Sequence, residues 1–167
     1  DGYESNSAIA ELDDALNHAY GTNRYSFVNP QLNKLGDDQI AVGLIFDSSR
    51  LTLVGNTVTT AQFPFNWGNR QPLVQSFLQT GTTETFTVAV NHFKSKGSCG
   101  NATNNNQDQL DGQGCWNELR TQAAETLFDW LQTMPTTIQD SDLLIIGDLN
   151  AYGKEDPINT LTSLGMK

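Results

Sequence analysis

Hydrophobic residues recur at helical spacing in two parts of the chain. In residues 7–19, Ile9, Leu12 and Leu16 lie on one side of a helix, acids lie on the other, and Ser5 to Ser7 can cap its start. In residues 116–131 the apolar side chains at this spacing are Leu119, Ala123, Leu127, Phe128 and Leu131. The pattern therefore predicts amphipathic helices over 7–19 and 116–131.

Between and after these helices, short apolar or alternating runs predict β-strands. The predicted strands are Tyr25–Val28, Gln39–Phe46, Leu51–Val54 continued at Val58, Arg70–Leu78, Thr85–His92 and Leu143–Ile146. The apolar character of Gln39–Phe46 predicts a strand that is buried on both faces. Because strands and helices alternate and no linker or repeat interrupts them, the sequence predicts a single α/β domain over 1–167.

Charge narrows how such a domain could recognise a partner. Lys and Arg number 9 against 19 Asp and Glu, which gives a net charge of -10. This excess of acids disfavours binding through a broad basic surface, but a divalent cation and a few placed Arg, Lys or His residues can still attract a phosphodiester. No apolar run approaches the roughly 20 residues of a membrane-spanning helix, so no membrane span is expected.

The two cysteines, Cys99 and Cys115, bracket a polar loop that runs over 97–114. A disulfide between them would stabilise the fold by about 3 kcal/mol in the chain-entropy account, because it restricts the unfolded state. Two free thiols are the alternative, and no further Cys or His ligands lie nearby to form a zinc site. A disulfide predicts an oxidising compartment, so we expect the protein to be secreted or extracellular. The periplasm and the cell surface are the alternative locations.

The clearest candidate for chemistry is the segment LLIIGDLNAY, residues 143–152, in which an apolar strand ends in Asp148 and Asn150. Residues two apart on a strand point to the same side, so the two side chains can face one site. The carboxylate can hold a cation or take a proton from water, and the amide can bind a phosphate oxygen or the attacking water. The alternative is a turn in which both residues bond their own backbone.

A second candidate is VNHFKSK, residues 90–96, in which a strand ends in Asn91 and His92 and is followed by Lys94 and Lys96. In so acidic a chain this cluster creates a local positive field. His92 could donate a hydrogen bond to a phosphate oxygen or a proton to the leaving oxygen, and its neighbours could bind substrate. A histidine bonded only to backbone is the alternative interpretation.

Weaker signals lie elsewhere in the chain. Arg70, in NRQPL, offers a planar guanidinium suited to phosphate, although a surface arginine explains it as well. The acidic segment 108–114 has some calcium-loop character, but it lacks the full ligand spacing, and a solvated loop is the favoured interpretation. The sequence contains no nucleophile-elbow, phosphate-loop or HExxH motif.

Taken together, IIGDLNAYGKEDPI, VNHFKSKG, CWNELRTQAAETLFDWL and NRQPL resemble the endonuclease/exonuclease/phosphatase superfamily, also called DNase I-like. The resemblance is greatest to bacterial secreted nucleases. It implies two packed mixed β-sheets flanked by helices and a phosphodiester hydrolysis that depends on Mg2+ or Mn2+. It further implies that Asp148 and Asn150 contact metal, water or phosphate, that His92 binds the scissile phosphate, and that Arg70 contacts substrate phosphate.

The sequence also departs from the superfamily pattern. An early strand bearing a metal-binding glutamate and a closing Asp-His pair both lack counterparts here. We therefore expect an incomplete domain, a central segment of a larger enzyme, with little activity of its own. Mg2+, Mn2+ or Ca2+ would bind weakly or not at all, because too few oxygen ligands remain. Sheet edges left exposed by missing strands would favour a homodimer.

Three functions are compatible with these features. The leading hypothesis is a segment of a secreted metal-dependent nuclease whose substrate is nucleic acid, with DNA preferred over RNA. A phosphatase or phospholipid phosphodiesterase of the same superfamily is the second, and a non-catalytic binding or adhesion module is the third. The enzyme hypotheses require His92 and the pair Asp148 and Asn150 to lie across one cleft, within about 10 Å, because a phosphate and its water must reach both.

Overall fold

The computed structural model describes residues 2–167, which contain six strands and three α-helices. The helices are α1 (Ala8–Tyr20), α2 (Asn117–Gln132) and α3 (Asp156–Ser163). The strands are β1 (Tyr25–Phe27), β2 (Ile45–Asp47), β3 (Leu51–Val58), β4 (Leu73–Gln79), β5 (Thr85–His92) and β6 (Leu143–Asp148). Helices α1 and α2 lie within one residue of their predicted bounds.

The strands form two sheets. Strands β1 and β2 make an antiparallel pair, and the larger sheet has the order β3-β4-β5-β6. Strand β6 runs parallel to β5, whereas β3, β4 and β5 pair antiparallel. The predicted α/β fold with two sheets and flanking helices is confirmed.

The two sheets pack face to face through alternate residues of β4 and β5. Every second residue of a strand points to the same face, and Leu73, Phe77, Val88 and Val90 are buried on the face toward the smaller sheet. Their partners around the smaller sheet are Phe27, Val28, Leu44 and Phe46. Helix α1 covers β1 from outside. The same alternation places His92, two residues after Val90, on this face at the end of β5.

The opposite face of the larger sheet carries helices α2 and α3. Val74 and Ala89 of the sheet pack against Leu127 and Leu131 of α2 and against Leu161 of α3. Each buried leucine of this kind stabilises the fold by about 1.5–3 kcal/mol relative to an exposed one. The layers are therefore α1, the small sheet, the large sheet, and the pair α2 and α3.

One predicted strand is wrong. Gln39–Phe46 does not form a strand buried on both faces: only Ile45–Asp47 is extended in a sheet, and Ile40 is exposed. Within residues 2–167, β2 pairs only with β1, over three residues that are all half-buried, and the preceding residues 40–44 form no strand. Directly before β2, the Leu44 carbonyl accepts from the Val28 N–H at 2.8 Å, and further back the Val42 carbonyl accepts from the Tyr3 hydroxyl instead of from a strand.

Helix α3 is missing from the sequence prediction. Pro157 lies in its first turn, where backbone N–H groups have no partner within the helix, so the missing N–H of proline costs nothing. Leu161 is buried on the apolar side of the helix. With only eight residues the helix shows little periodicity. None of the helices within residues 2–167 has the length and apolar character that crossing a bilayer requires.

The polar loop after β5 is closed by a disulfide between Cys99 and Cys115, whose Cα atoms lie 5.5 Å apart. The disulfide prediction is therefore confirmed, and the two-thiol alternative is wrong. Arg120 of α2 is fully buried beneath the loop and donates to the carbonyls of Cys115 and Gln113 at 2.8 and 3.0 Å. The loop is thus fixed to α2 by a covalent bond and by buried hydrogen bonds.

Strand β6 forms one edge of the larger sheet. Its Leu144 and Ile146 face the side of the smaller sheet, which does not extend over them, and both side chains are exposed. An exposed apolar strand edge favours association with another polypeptide. A homodimer through this edge stays a prediction.

Candidate active site

The carboxyl ends of β5 and β6 place His92 beside Asp148. The two strands run parallel, and their register pairs His92 directly with Asp148. The distance from His92 Nε2 to Asp148 Oδ2 is 3.9 Å. The Asp148 side chain is 65% exposed and that of His92 is 25% exposed, so both reach solvent from the same edge. An imidazole and a carboxylate that are 56 positions apart in sequence thus share one surface.

The surroundings of His92 lower its pKa. Burial contributes most, because it disfavours the charged imidazolium, and the nearby guanidinium of Arg70 acts in the same direction. The carboxylates of Asp148 and Asp38 oppose the effect without reversing it. The lowered pKa favours the uncharged imidazole, in which one nitrogen is a donor and the other an acceptor.

Gly147 allows the two strand ends to approach each other. Its φ is +111°, and a Cβ built on it would lie 2.0 Å from the Asn91 carbonyl oxygen and 2.9 Å from the Asn91 nitrogen. No side chain can occupy that space unless β5 and β6 separate. The glycine before Asp148 is thus required by close backbone contact at the site.

Asn150 reaches the site by a turn and not by strand alternation. Strand β6 ends at Asp148, and Asn150 has a left-handed backbone with φ of 48°. Its backbone N–H donates to Asp148 Oδ1 at 2.8 Å, and its side-chain amide donates to the Phe93 carbonyl at 3.0 Å. The turn interpretation of the sequence is therefore correct for the backbone, although the turn leaves Asn150 next to the strand end that carries His92.

Arg70 lies in the loop before β4, because β4 begins at Leu73 and not at Arg70 as the sequence predicts. Its backbone N–H donates to the His92 carbonyl at 3.0 Å, which fixes the arginine to the site. Its guanidinium pairs with Asp38, at 2.9 Å between Nη2 and Oδ2. The pKa of Asp38 is lowered although partial burial acts to raise it, because a backbone N–H of Ile40 and the charge of Arg70 stabilise the carboxylate.

The side chains of the two lysines after His92, Lys94 and Lys96, contact other groups of the protein. Lys96 Nζ forms a 2.5 Å ion pair with the buried carboxylate of Glu155. Lys94 Nζ donates to the Ser95 carbonyl at 3.1 Å and lies 5.1 Å from the centre of the Trp116 ring. Burial first, and then nearby arginines, lower the pKa of Lys94. The positive field expected from these lysines is therefore reduced.

Asn91 does not share the surface of His92. It points to the helical face of the sheet, and only 2% of it is exposed. Its amide donates to the Ala89 carbonyl at 2.9 Å, while its Oδ1 is buried with no hydrogen-bond partner among residues 2–167. In this arrangement Asn91 is placed to support the strand and not to contact a substrate.

Sequence reasoning missed a cavity beside Arg70. It has a volume of about 230 Å3, and the residues that line it include Leu35, Asp38, Phe65, Trp67, Asn69 and Arg70. Asp38 and Trp67 come from loops with no periodic pattern. Nothing in the sequence around Asp38 or Trp67 distinguishes these two residues from ordinary loop residues.

The site offers little to hold a metal ion. Within residues 2–167 no group of three or more His, Cys, Asp and Glu side chains is arranged to bind one. Asp148 provides one exposed carboxylate, and the acidic loop 108–114 uses its carboxylates within its own turns. Because Mg2+ demands a near-octahedral set of oxygen ligands, the residues present do not form a complete site for it.

Comparison with known structures supports the fold described above. No protein-family model and no curated protein matches the sequence. The human Nocturnin catalytic domain with bound sulfate anion aligns with a TM-score of 0.63 at 15% identity, over 96% of this chain and 53% of that one. An endonuclease/exonuclease/phosphatase family protein from Bacteroides thetaiotaomicron aligns with a TM-score of 0.62 at 11% identity, over 93% of this chain and 51% of that one.

A third structure, a mannosyl-6-phosphatase of Bacteroides thetaiotaomicron, aligns with a TM-score of 0.60 at 11% identity, over 93% of this chain and 53% of that one. This chain therefore spans about half the length of the structures that it matches. At these identities the similarity establishes a shared fold. The DNase I-like architecture expected from the sequence is confirmed.

Proposed function

We propose that this chain, which has the DNase I-like fold of the endonuclease/exonuclease/phosphatase superfamily, is a segment of a secreted, divalent-metal-dependent phosphodiesterase that hydrolyses nucleic acid. The observation that carries the proposal is the pairing of His92 with Asp148 at two adjacent strand ends, with 3.9 Å between Nε2 and Oδ2. Two groups able to donate and accept protons thus face one solvent-open surface.

The gap between the two groups suits an oxygen atom of a substrate or water. At 3.9 Å the atoms are too far apart for a direct hydrogen bond, which spans about 2.7–3.2 Å. An oxygen placed to one side can contact both, because the neutral imidazole donates to it and the carboxylate accepts from it. We assign Asp148 the role of orienting or deprotonating the attacking water, and His92 the role of donating to a phosphate oxygen.

Arg70 and Asn150 support this chemistry from either side. Arg70 brings a positive charge that stabilises an anionic phosphate near His92. Asn150 fixes the Asp148 carboxylate through its backbone N–H, and its own amide binds the Phe93 carbonyl. These contacts keep the carboxylate in place, and a fixed geometry lowers the cost of reaching the transition state.

Metal dependence is proposed for the complete enzyme. A divalent cation would supply charge neutralisation at the phosphate, but this chain contributes Asp148 and little else. We therefore propose that residues outside this chain complete the site, and that the chain itself binds Mg2+ or Mn2+ weakly and has little activity. The disulfide supports secretion, since such bonds persist in oxidising compartments.

A phosphatase that acts on a small phosphate ester is the second candidate. One structural neighbour is a mannosyl-6-phosphatase, and another holds a sulfate anion. The same imidazole and carboxylate would serve either substrate, because both reactions cleave a phosphate ester with water. Nucleic acid is preferred here on the sequence resemblance, with DNA ahead of RNA.

A hydrolysis panel tests the proposal. Plasmid DNA, RNA, a phospholipid and a sugar phosphate are incubated with Mg2+ or Mn2+ and either this chain or the longer protein that the proposal implies. We expect the longer protein to cleave DNA, and Asp148→Asn to reduce the rate by at least about 100-fold, as for loss of a general base. Asp129→Asn, on the exposed side of α2, makes the same charge change away from the site and should leave the rate unchanged.

Two results would contradict this account. Equal rates for Asp148→Asn and Asp129→Asn would remove Asp148 from the chemistry. Efficient cleavage by this chain alone, lost in Asp148→Asn, would show that the residues present suffice without the ligands we place outside them.

A further inference from the structure

Trp67 is a large aromatic side chain that the fold leaves in solvent. It is 56% exposed, although a tryptophan is usually well covered in a folded domain. Its ring packs against Trp116 in a T-shaped arrangement, with 5.5 Å between the ring centres and 62° between the planes. This contact holds the ring in place, while more than half of the residue stays exposed.

The loop that carries Trp67 is rigidly fixed. Asn69, which is buried, donates from its side chain to the Pro64 carbonyl at 3.1 Å and accepts from the Lys94 N–H at 2.8 Å. Gly68, between Trp67 and Asn69, has a φ of +80°, and a Cβ at this position would lie 2.8 Å from the Leu119 side chain. The position of Trp67 is thus set by the backbone and by buried hydrogen bonds, so little entropy would be lost when a ligand binds to it.

Trp67 forms part of the wall of the cavity beside Arg70. The cavity has a volume of about 230 Å3, with the apolar side chains of Leu35 and Phe65 and the charged pair of Asp38 and Arg70 among its walls. Pockets for whole drug-sized ligands measure roughly 300–1,000 Å3, so this one suits a single ring system.

The cavity adjoins the candidate active site. The Arg70 N–H donates to the His92 carbonyl, and the charges of Arg70 and Asp38 both act on His92. Nε of Arg70 is buried and has no hydrogen-bond partner among residues 2–167. A ligand that spans from the cavity to His92 would therefore meet an aromatic ring, a guanidinium and a carboxylate before it meets the imidazole.

We propose that this cavity binds the planar base of a nucleotide whose phosphate lies at His92 and Asp148. This inference rests on the proposed function, and it names Trp67 as the residue that stacks on the base. Stacking on an aromatic side chain binds every base, because each has a π-face. Asp38 can accept from base amino groups, and Arg70 can donate to ring nitrogens or carbonyl oxygens.

Charge and shape favour a nucleobase over other occupants. A chain with a net charge of -10 and an acid at the cavity is poorly suited to an anionic lipid surface. A carbohydrate can also lie on a tryptophan, so a sugar phosphate is the competing ligand in the experiment that tests the proposal.

Binding to the purified chain tests the proposal without requiring catalysis. Affinities for dAMP, deoxyadenosine, deoxyribose 5-phosphate and glucose 6-phosphate are measured by titration calorimetry and by saturation-transfer NMR. We expect dAMP to bind about ten-fold more tightly than deoxyribose 5-phosphate, which lacks the base. Trp67→Ala should remove that difference, and Trp67→Phe, which keeps an aromatic face, should retain part of it.

Phe63→Ala is the matched control. Phe63 is also an exposed aromatic residue, at 54%, and lies four positions earlier in the chain, but it does not line the cavity. It should leave the ten-fold preference for dAMP intact. Because Trp67→Phe keeps an aromatic ring beside Trp116, it also shows whether an effect of Trp67→Ala comes from lost stacking or from a disturbed loop.

The remaining outcomes separate this inference from the proposed function. Equal binding of dAMP and deoxyribose 5-phosphate, weakened for both by His92→Ala, would overturn the base subsite and leave the phosphate site standing. Deoxyadenosine binding that depends on Trp67, with no binding of deoxyribose 5-phosphate, would support the subsite and contradict the phosphate site. Absence of binding by all four ligands would overturn the base subsite, whereas the proposed function is tested separately by the hydrolysis panel. Glucose 6-phosphate binding as tight as that of dAMP, and lost in Trp67→Ala, would replace the base by a carbohydrate.

Discussion

Replacement of Gly147 by alanine should force apart the strand ends that carry His92 and Asp148. The new Cβ would lie 2.0 Å from the Asn91 carbonyl oxygen, and heavy atoms need more than 3 Å, so the backbones must shift by about 1 Å. Such a shift weakens adjacent hydrogen bonds between β5 and β6, at about 1 kcal/mol each. The positive φ adds roughly 1–2 kcal/mol for a residue with a side chain.

The reduced freedom of the unfolded chain offsets about 0.4–1 kcal/mol of this cost. Two weakened hydrogen bonds and the strain, less this offset, give an expected loss of about 2–3.6 kcal/mol in the free energy of unfolding, measured by urea denaturation. Gly81→Ala is the matched control, because Gly81 also has a positive φ of +82°, but apart from Gly81 and its two chain neighbours no atom of residues 2–167 lies within 4 Å of its Cβ position.

The control therefore isolates backbone strain from the strand contact. We expect Gly81→Ala to lower the free energy of unfolding by only about 1 kcal/mol. We also expect Gly147→Ala, but not Gly81→Ala, to shift the NMR resonances of Asn91 and His92. Equal losses of stability for the two variants, with unchanged resonances at His92, would refute the claim that Gly147 is required by close strand contact.

Two further predictions concern charge and the cross-link. NMR titration should give His92 a pKa below its usual value of about 6.5, and Asp148→Asn should lower that pKa further while Arg70→Gln should raise it. As the pH falls, His92 is protonated in the unfolded chain at a higher pH than in the folded protein. The free energy of unfolding should therefore fall as the pH drops from about 6.5 through the pKa of folded His92. A His92 pKa that is unchanged in both variants would contradict the assigned causes. Reduction of the Cys99–Cys115 disulfide, which spans 16 positions, should lower the free energy of unfolding by about 3 kcal/mol in urea titrations, and no change in the midpoint would count against it.

The disulfide also bears on the site through the loop it closes. Arg120, buried beneath that loop, donates to the carbonyl of Cys115 and, at 3.3 Å, to that of Lys94. Lys94 in turn donates its backbone N–H to Asn69, which fixes the Trp67 loop. A continuous set of hydrogen bonds therefore connects α2, the disulfide loop and the cavity.

Local patterns in the sequence were enough to predict much of the fold. Ser7 accepts from the Ala10 N–H at 3.4 Å, as a helix cap should, and Thr85–His92 has the predicted bounds. These elements follow from periodicity, which reports which side of an element is buried. The segment 39–46 was mispredicted because its apolar residues say nothing about whether a partner strand lies beside it.

The sequence by itself determined the residue types of the site: a histidine at one strand end and Gly147, Asp148 and Asn150 at another. Only the tertiary structure decided that β5 and β6 are parallel neighbours, which brings His92 to 3.9 Å from Asp148. It also decided that Asn91 is buried and that Trp67 stands at a cavity. Strand order and long-range pairing depend on how whole faces pack, and a side chain's burial depends on neighbours far along the chain, so no local pattern encodes them.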